Sequence, residues 1–345
     1  MDATLRDDGV VHAGGDARQR FFDSSGYGRP HGDGVDLARV EAAHLLYRGD
    51  LDGVDGADFR EFFVDSVAAE DRFAARFLVY ADLRERGFYC SPAREGWPGH
   101  DGDPLPDLTV YERGADPGGP VAYRVLVAGE RRSLPARDLP GVALAVVDEE
   151  SDVSYFTCEG TGGFDGATDV DLPTGVDATL LDDRAVCWEP PTRLFESGFY
   201  GQPVAGRDAA VVDALQLSLV EAADLAERGV IALSADDVRE RGRAVEGDRF
   251  DRRLAVYRRL RADGVVPKTG YKFGADFRTY DDVESVSELS HSEALVRALP
   301  ADHAFHPREL ALDVRLAGGV RKRMVFAVGA DEGDPQWLTV GRLTP

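Results

Sequence analysis

Asp71-Arg72-Phe73, Val79-Tyr80, Leu83-Arg84 and Gly87 return in the same order and spacing as Asp248-Arg249-Phe250, Val256-Tyr257, Leu260-Arg261 and Gly264, each position displaced by 177. Self-similarity of this kind reads as a tandem duplication. The match extends upstream. Asp2-Ala3-Thr4-Leu5 with Asp7-Asp8 answers to Asp177-Ala178-Thr179-Leu180 with Asp182-Asp183, and Phe22-Asp23-Ser24, Tyr27-Gly28 and Pro30 to Phe195-Glu196-Ser197, Tyr200-Gly201 and Pro203. Val40 to Ala43 with Arg48-Gly49 matches Val220 to Ala223 with Arg228-Gly229. The displacement drifts between 173 and 180, as small loop insertions require, and it makes each half two-part.

The Gly/Thr/Asp-rich stretch Gly160 to Gly175 separates the halves. The expected organisation is a structural repeat over 1–160, a linker over 161–175, and a second repeat over 176–345 divided into 176–245 and 246–345. In the second repeat, Asp248 opens a helix whose Phe250, Leu254, Tyr257 and Leu260 keep helical spacing up to Gly264. Val265 to Tyr280 reads as a hairpin. Ser290 and Glu293 form an S-x-x-E pattern that predicts a helix carrying Leu295, Val296 and Leu299 inward. Met324 to Val328 and Trp337 to Val340 read as strands around the acidic turn Asp331 to Asp334. The predicted class is mixed α/β, with each repeat a small N-terminal α+β subdomain followed by an α/β C-terminal subdomain.

Composition limits the function. With 345 residues, 43% apolar and 30% charged, the chain can build full cores and is not disordered. No run approaches the roughly 20 apolar residues of a membrane helix, and Met1 to Asp8 shows no signal pattern, so the expectation is a soluble, cytoplasmic protein with no membrane partner. Cys90, Cys158 and Cys187 are odd in number and far apart, which excludes a disulfide framework and a CxxC knuckle. The 63 acidic and 40 basic residues give −23, and only Lys268, Lys272 and Lys322 of the 40 are lysines. Such a surface suits molar salt, where charge is screened to about 3 Å. Under those conditions total charge does not exclude a nucleic acid. From Arg249 to Arg323 there are 15 basic against 11 acidic residues, a local excess in an acidic chain.

The halves differ where chemistry could sit. Aligning Asp107 to Tyr111 with Asp276 to Tyr280 puts a tyrosine in both, but no first-half histidine matches His291, and Pro140 to Ala145 stands where Arg321-Lys322-Arg323-Met324-Val325-Phe326 stands in the second. One half looks active and the other structural.

The run Tyr271-Lys272-Phe273-Gly274-Ala275-Asp276-Phe277-Arg278-Thr279-Tyr280, then His291-Ser292-Glu293-Ala294-Leu295-Val296, then Val320-Arg321-Lys322-Arg323, strongly resembles the archaeal tRNA-splicing endonucleases. The resemblance covers essentially the whole chain and fits the family's two-repeat, homodimeric subclass. It implies a restriction-endonuclease-like C-terminal subdomain. It also implies cleavage of precursor tRNA at a bulge-helix-bulge, with no metal or cofactor, leaving 2′,3′-cyclic phosphate and 5′-hydroxyl ends.

The chemistry can also be argued from residue types. Attack by a ribose 2′-hydroxyl needs a base, an acid for the departing 5′-oxygen, and a cation beside the phosphorus. Tyr280, His291 and Lys322 supply these three types. A phenol, with a reference pKa of about 10, serves as base only where a cation such as Lys322 stabilises the phenolate. His291, near the expected helix start, is assigned as acid. Chemistry alone would allow the tyrosine and histidine to exchange roles; the resemblance fixes the order. In a chain with three lysines, a retained Lys322 points to a compact ammonium that arginine cannot replace.

RNA contacts follow. Lys268 and Lys272 are expected at backbone phosphates, Arg321 is counted with them as RNA-binding, and the resemblance implies that Arg315 and Arg342 sandwich a bulge base. The acidic turn Asp148, Glu149, Glu150 and Asp152 resembles the family loop that docks into a basic cleft of the partner chain. Two readings compete with cleavage by these residues. A metal-dependent nuclease of this broad class needs an acidic residue two positions before a lysine, and Val266, Gly270 and Val320 stand there instead. His303 and His306 lack a clear third ligand and read as a surface turn before Pro307. A non-catalytic RNA-binding paralogue would keep the arginines but need not keep Tyr280, His291 and Lys322 together.

Overall fold

A computed structural model describes residues 1–94, 96–97, 106–206 and 213–345. Its centre is a ten-stranded sheet. In chain order the strands are β1 (Cys90–Pro92), β2 (Leu108–Tyr111), β3 (Val121–Gly129), β4 (Val142–Val147), β5 (Val153–Thr161), β6 (Val266–Thr269), β7 (Phe277–Tyr280), β8 (Ala294–Leu299), β9 (Arg323–Val328) and β10 (Gln336–Leu343). Across the sheet they run β6-β7-β8-β9-β10-β5-β4-β3-β2-β1, so both sets of five read outward alike from a central seam. At the seam β5 pairs antiparallel with β10, from Tyr155↔Leu343 to Thr161↔Trp337. A second antiparallel joint pairs Leu134–Pro135 with Ala304–Phe305. Among the described residues of this sheet only β3·β4 and β8·β9 are parallel neighbours.

Helices α1 (Phe73–Glu85) and α2 (Arg249–Ala262) bury Phe73, Phe77, Tyr80 and Leu83, and Phe250, Leu254, Tyr257 and Leu260, respectively. One buried carboxylate ties each to the sheet. Asp107 pairs with Arg72 at 2.7 Å and accepts from the Val127 amide at 2.7 Å. Asp276 pairs with Arg249 and Arg253, and accepts from the Ala298 amide at 2.8 Å. The repeated aspartates are therefore fasteners between helix and strand. Asp248 flanks α2 without a side-chain capping bond.

Ahead of each five-stranded set sits a small sheet with two longer helices. The first uses five strands between Asp2 and Val54, with helices Arg39–Tyr47 and Phe59–Ala69; the second uses four between Ala178 and Ser218, with helices Leu219–Glu227 and Ala235–Glu246.

Two expectations are corrected. Residues 290–293 do not open a helix: Ala294–Leu299 is strand β8, buried between β7 and β9. A short apolar run buried on both faces carries no diagnostic period, and here pairing on both sides outweighed the capping pattern. The dipole argument for His291 falls with that helix. The second helix of this subdomain is instead α3 (Pro307–Gly319), with Pro307 in its first turn and Leu310, Val314 and Ala317 buried. The first half has only a 3-10 turn, Ala136–Asp138, at that place, so the repeats are not fully alike. Residues 162–175 are also packed: the Gly166 amide donates to the Asp263 carbonyl at 2.8 Å, and Phe164 lies 5.2 Å from the Trp337 ring.

Candidate active site

Register places the predicted residues. Lys268↔Arg278, Arg278↔Leu295, Leu295↔Met324 and Met324↔Val340 form one row across five strands. One pleat outward on the same face, two residues along each strand, come Tyr280, Glu293, Lys322 and Arg342. His291 lies two residues beyond Glu293, exposed in the loop before β8. Tyr280, His291 and Lys322 thus stand at one end of three adjacent strands.

Backbone bonds fasten that end. The Glu293 amide donates to the Thr279 carbonyl at 2.9 Å and the Arg323 amide to the Glu293 carbonyl at 3.0 Å, while the Lys322 ammonium donates to the Ser292 carbonyl beside His291. The Tyr280 ring is buried and meets Phe199 of the N-terminal unit edge-on, centroids 5.6 Å apart. Lys322 sits in a tight turn off α3, where its own amide donates to the Ala317 carbonyl at 2.9 Å and Arg321 adopts a left-handed φ of 55°. Burial, then the charge of Arg278, lowers the Lys322 pKa from its ordinary value.

The carboxyl of Asp281, next to Tyr280, is pushed up to about 6 by burial and by Glu293; Arg323 approaches it at 3.9 Å. Among the described residues no group of three or more His, Cys, Asp and Glu side chains could hold a metal. His303 packs on Phe305 at 4.6 Å, and its carbonyl accepts from the Ala136 amide at 2.9 Å; His306 precedes α3 without a side-chain capping bond.

Lys268 is not available to RNA, which corrects its expected role. Its ammonium is filled by the protein: Glu221 at 2.6 Å and the carbonyls of Phe199 and Gly201 at 3.1 and 3.0 Å. Lys272, Arg315, Arg321 and Arg342 are exposed and form no ion pair among the described residues. Arg315 lies on the outer side of α3, and Arg342 on β10 beside the Lys322 row. The turn Asp148 to Asp152 is exposed and preformed, with Asp148 Oδ1 accepting from the Glu150 and Asp152 amides, both at 2.9 Å.

Sequence reasoning passed over Arg278. It is half-buried, its guanidinium carbon lies 5.7 Å from the Tyr280 ring centroid, and Thr109 takes its place in the first half. The signal was available in the same comparison of halves that singled out His291 and Lys322.

Comparison with known proteins places this arrangement. The model of the tRNA intron endonuclease catalytic C-terminal domain matches residues 250–337, and that of the N-terminal domain matches twice, over 1–63 and 176–243. A tRNA-splicing endonuclease of Haloferax volcanii is 56% identical over 341 residues, 98% of each chain, and one of Haloarcula marismortui 57% identical over 349 residues, the whole of both. One from Methanococcoides burtonii is 35% identical over 354 residues, 95% of each chain. With both domain models matched and relatives aligned from end to end, the chain belongs to the tRNA intron endonuclease family.

Proposed function

We propose that this protein excises introns from precursor tRNA by cutting at bulge-helix-bulge motifs through intramolecular transesterification. The observation that carries the reading is the convergence of Tyr280, His291 and Lys322 at one end of β7, β8 and β9. Tyr280 removes the 2′-hydroxyl proton as the 2′-oxygen attacks phosphorus. The bond to the 5′-oxygen breaks, and His291 protonates that oxygen. Lys322 offsets the charge gathering on the phosphoryl oxygens. The products are 2′,3′-cyclic phosphate and 5′-hydroxyl ends, and no metal takes part.

The first repeat lends structure rather than chemistry. Tyr111 there is fully buried at the position of Tyr280, and the registers Val125↔Ala143 and Val296↔Val325 put Pro140 at the place of Lys322, one residue along from the alignment read off the sequence. Two copies of the chain, docked through the turn Asp148 to Asp152, meet the two cleavage points of one symmetric RNA motif. Lys272, Arg315, Arg321 and Arg342 form the RNA-facing edge, and arginine stacking on bulge bases keeps its strength in high salt.

The test is an end-labelled bulge-helix-bulge RNA incubated with the protein in molar KCl and EDTA, beside His291→Ala. Cutting at both bulges with cyclic-phosphate ends, lost in the variant, is the expected result. Binding without cutting would favour an RNA-binding paralogue, and cutting only after Mg²⁺ is added a metal-dependent nuclease.

A further inference from the structure

Among the described residues Arg278 has no counter-ion, in a chain of 63 acidic residues. It forms no hydrogen bond or ion pair among the described residues, and its Nε is shielded from solvent with no acceptor. A shielded donor left unpaired costs free energy unless another molecule supplies the acceptor. Its neighbours sharpen the point. Lys268, directly across the strand pair, is neutralised by Glu221, whereas Arg278 is not. One pleat outward lie Tyr280 and Lys322, and the charge of Arg278 is felt at Lys322. Two half-buried cations, both without a carboxylate partner, thus flank the reacting tyrosine.

The side chain also lines a cleft of about 670 Å³ between the N-terminal unit and the sheet, shared with Arg184, Gln216, Glu221 and Glu246 but not with Tyr280, His291 or Lys322. Its terminal nitrogens, unlike Nε, are not shut off from solvent. The first repeat has Thr109 at this position and Arg124 directly opposite it, where the second repeat has Leu295. Each repeat thus carries one arginine in this row, from different strands, and only in the second does it stand on the strand that carries the tyrosine, here Tyr280.

We propose that Arg278 contacts the RNA phosphate at the cleavage point and shares with Lys322 the charge that builds on its non-bridging oxygens. This rests on the cleavage reading above. Arg278 exchanges no proton: the 2′-oxygen–phosphorus bond forms, the phosphorus–5′-oxygen bond breaks, and proton transfer stays with Tyr280 and His291. The planar fork can hold two of the phosphoryl oxygens, as a point-charge ammonium cannot.

The experiment compares wild type, Arg278→Thr and Arg278→Lys in single-turnover cleavage of a bulge-helix-bulge RNA, with a 2′-deoxy version for affinity and a phosphorothioate at the cut. In Arg278→Thr the rate should fall about 100-fold, as when one donor to a developing oxyanion is lost. Affinity for the uncleavable RNA should change less than about tenfold. The slowing that sulfur substitution causes in wild type should shrink, because the contact it disturbs is already gone, and Arg278→Lys should recover part of the rate. Wild-type rate and sulfur sensitivity in Arg278→Thr would overturn the proposal. So would equal losses in both variants with a lowered Tm, which would make Arg278 structural. An inert wild type would instead overturn the cleavage reading beneath it.

Discussion

The ammonium of Lys268 stands 2.6 Å from Oε1 of Glu221, and both groups are buried. Burial pushes the Glu221 carboxyl up, but the charge and hydrogen bond of Lys268 with the Ser218 and Gly201 amides hold it below its ordinary value. In the first half Glu41 accepts the equivalent amides of Gly28 and Ala38, and burial raises it. Register puts Ser91 in the place of Lys268, and Arg29 bonds to that serine and to the Gly28 carbonyl. Arg29 forms no ion pair with Glu41 among the described residues, and its charge only partly offsets the rise, whereas Lys268 pairs with Glu221 directly. Lys268→Ser should therefore cost about 3 kcal/mol or more by stranding Glu221. Adding Gln202→Arg, at the position of Arg29, should restore part of the loss in urea titrations.

Removal of single reacting groups should separate chemistry from binding. Tyr280→Phe, His291→Ala and Lys322→Ala should each slow single-turnover cleavage by at least about 100-fold, while filter binding of the RNA shifts little. Tyr111→Phe, in the first repeat, should cleave at the wild-type rate.

Arg321 holds a left-handed φ of 55° at the turn between α3 and β9. Left-handed backbone costs a non-glycine residue about 1 kcal/mol, so Arg321→Gly should leave Tm unchanged or raised. RNA affinity should fall nonetheless, with a shallower dependence on salt, because one phosphate contact is gone. Equal affinity in the two proteins would remove Arg321 from the RNA edge.

Asp281 titrates at about 6 in the folded chain against 3.8 for a free aspartate, because burial and Glu293 both disfavour its charge while Arg323 only partly offsets them. A raised folded pKa means the contribution to folding is present below the unfolded value and lost as pH climbs through the folded one. Asp281→Asn, permanently neutral, should gain Tm over wild type progressively from about pH 4 to about pH 7. A constant Tm difference across that range would show that the carboxyl is not strained.

The likeness of the two halves was legible because α1 and α2 bury the same faces through Phe73, Tyr80 and Leu83 and through Phe250, Tyr257 and Leu260. The strands after them were legible where turn residues bracketed them, as at β6, β7, β9 and β10. Residues 294–299 misled because a buried strand and a helix can share one short apolar run, and the S-x-x-E pattern settled the choice wrongly. Helix α3 was missed although Pro307 and the spacing of Leu310, Val314 and Ala317 announce it, because the two histidines ahead of it drew attention to metals. The role of Lys268 could not be read locally: its partner Glu221 lies 47 residues away. Tyr280, His291 and Lys322 stand out in the sequence through their absence or silence in the other half, whereas Arg278 does not, because arginine is this chain's ordinary cation.

Helix α3 closes a core that belongs to both repeats. Leu310, Val314 and Ala317 share one cluster with Leu126, Leu144 and Phe156, and the Arg308 amide reaches across to the Glu130 carbonyl at 3.2 Å. The debt runs one way: the second repeat brings its own lid, and the first borrows it. Severed in the 162–175 segment, the chain should yield a second fragment that stays dispersed and a first that aggregates until the other is supplied. A repeat that has surrendered part of its own roof cannot return to life as a separate subunit, so the joining of these two halves works as a ratchet.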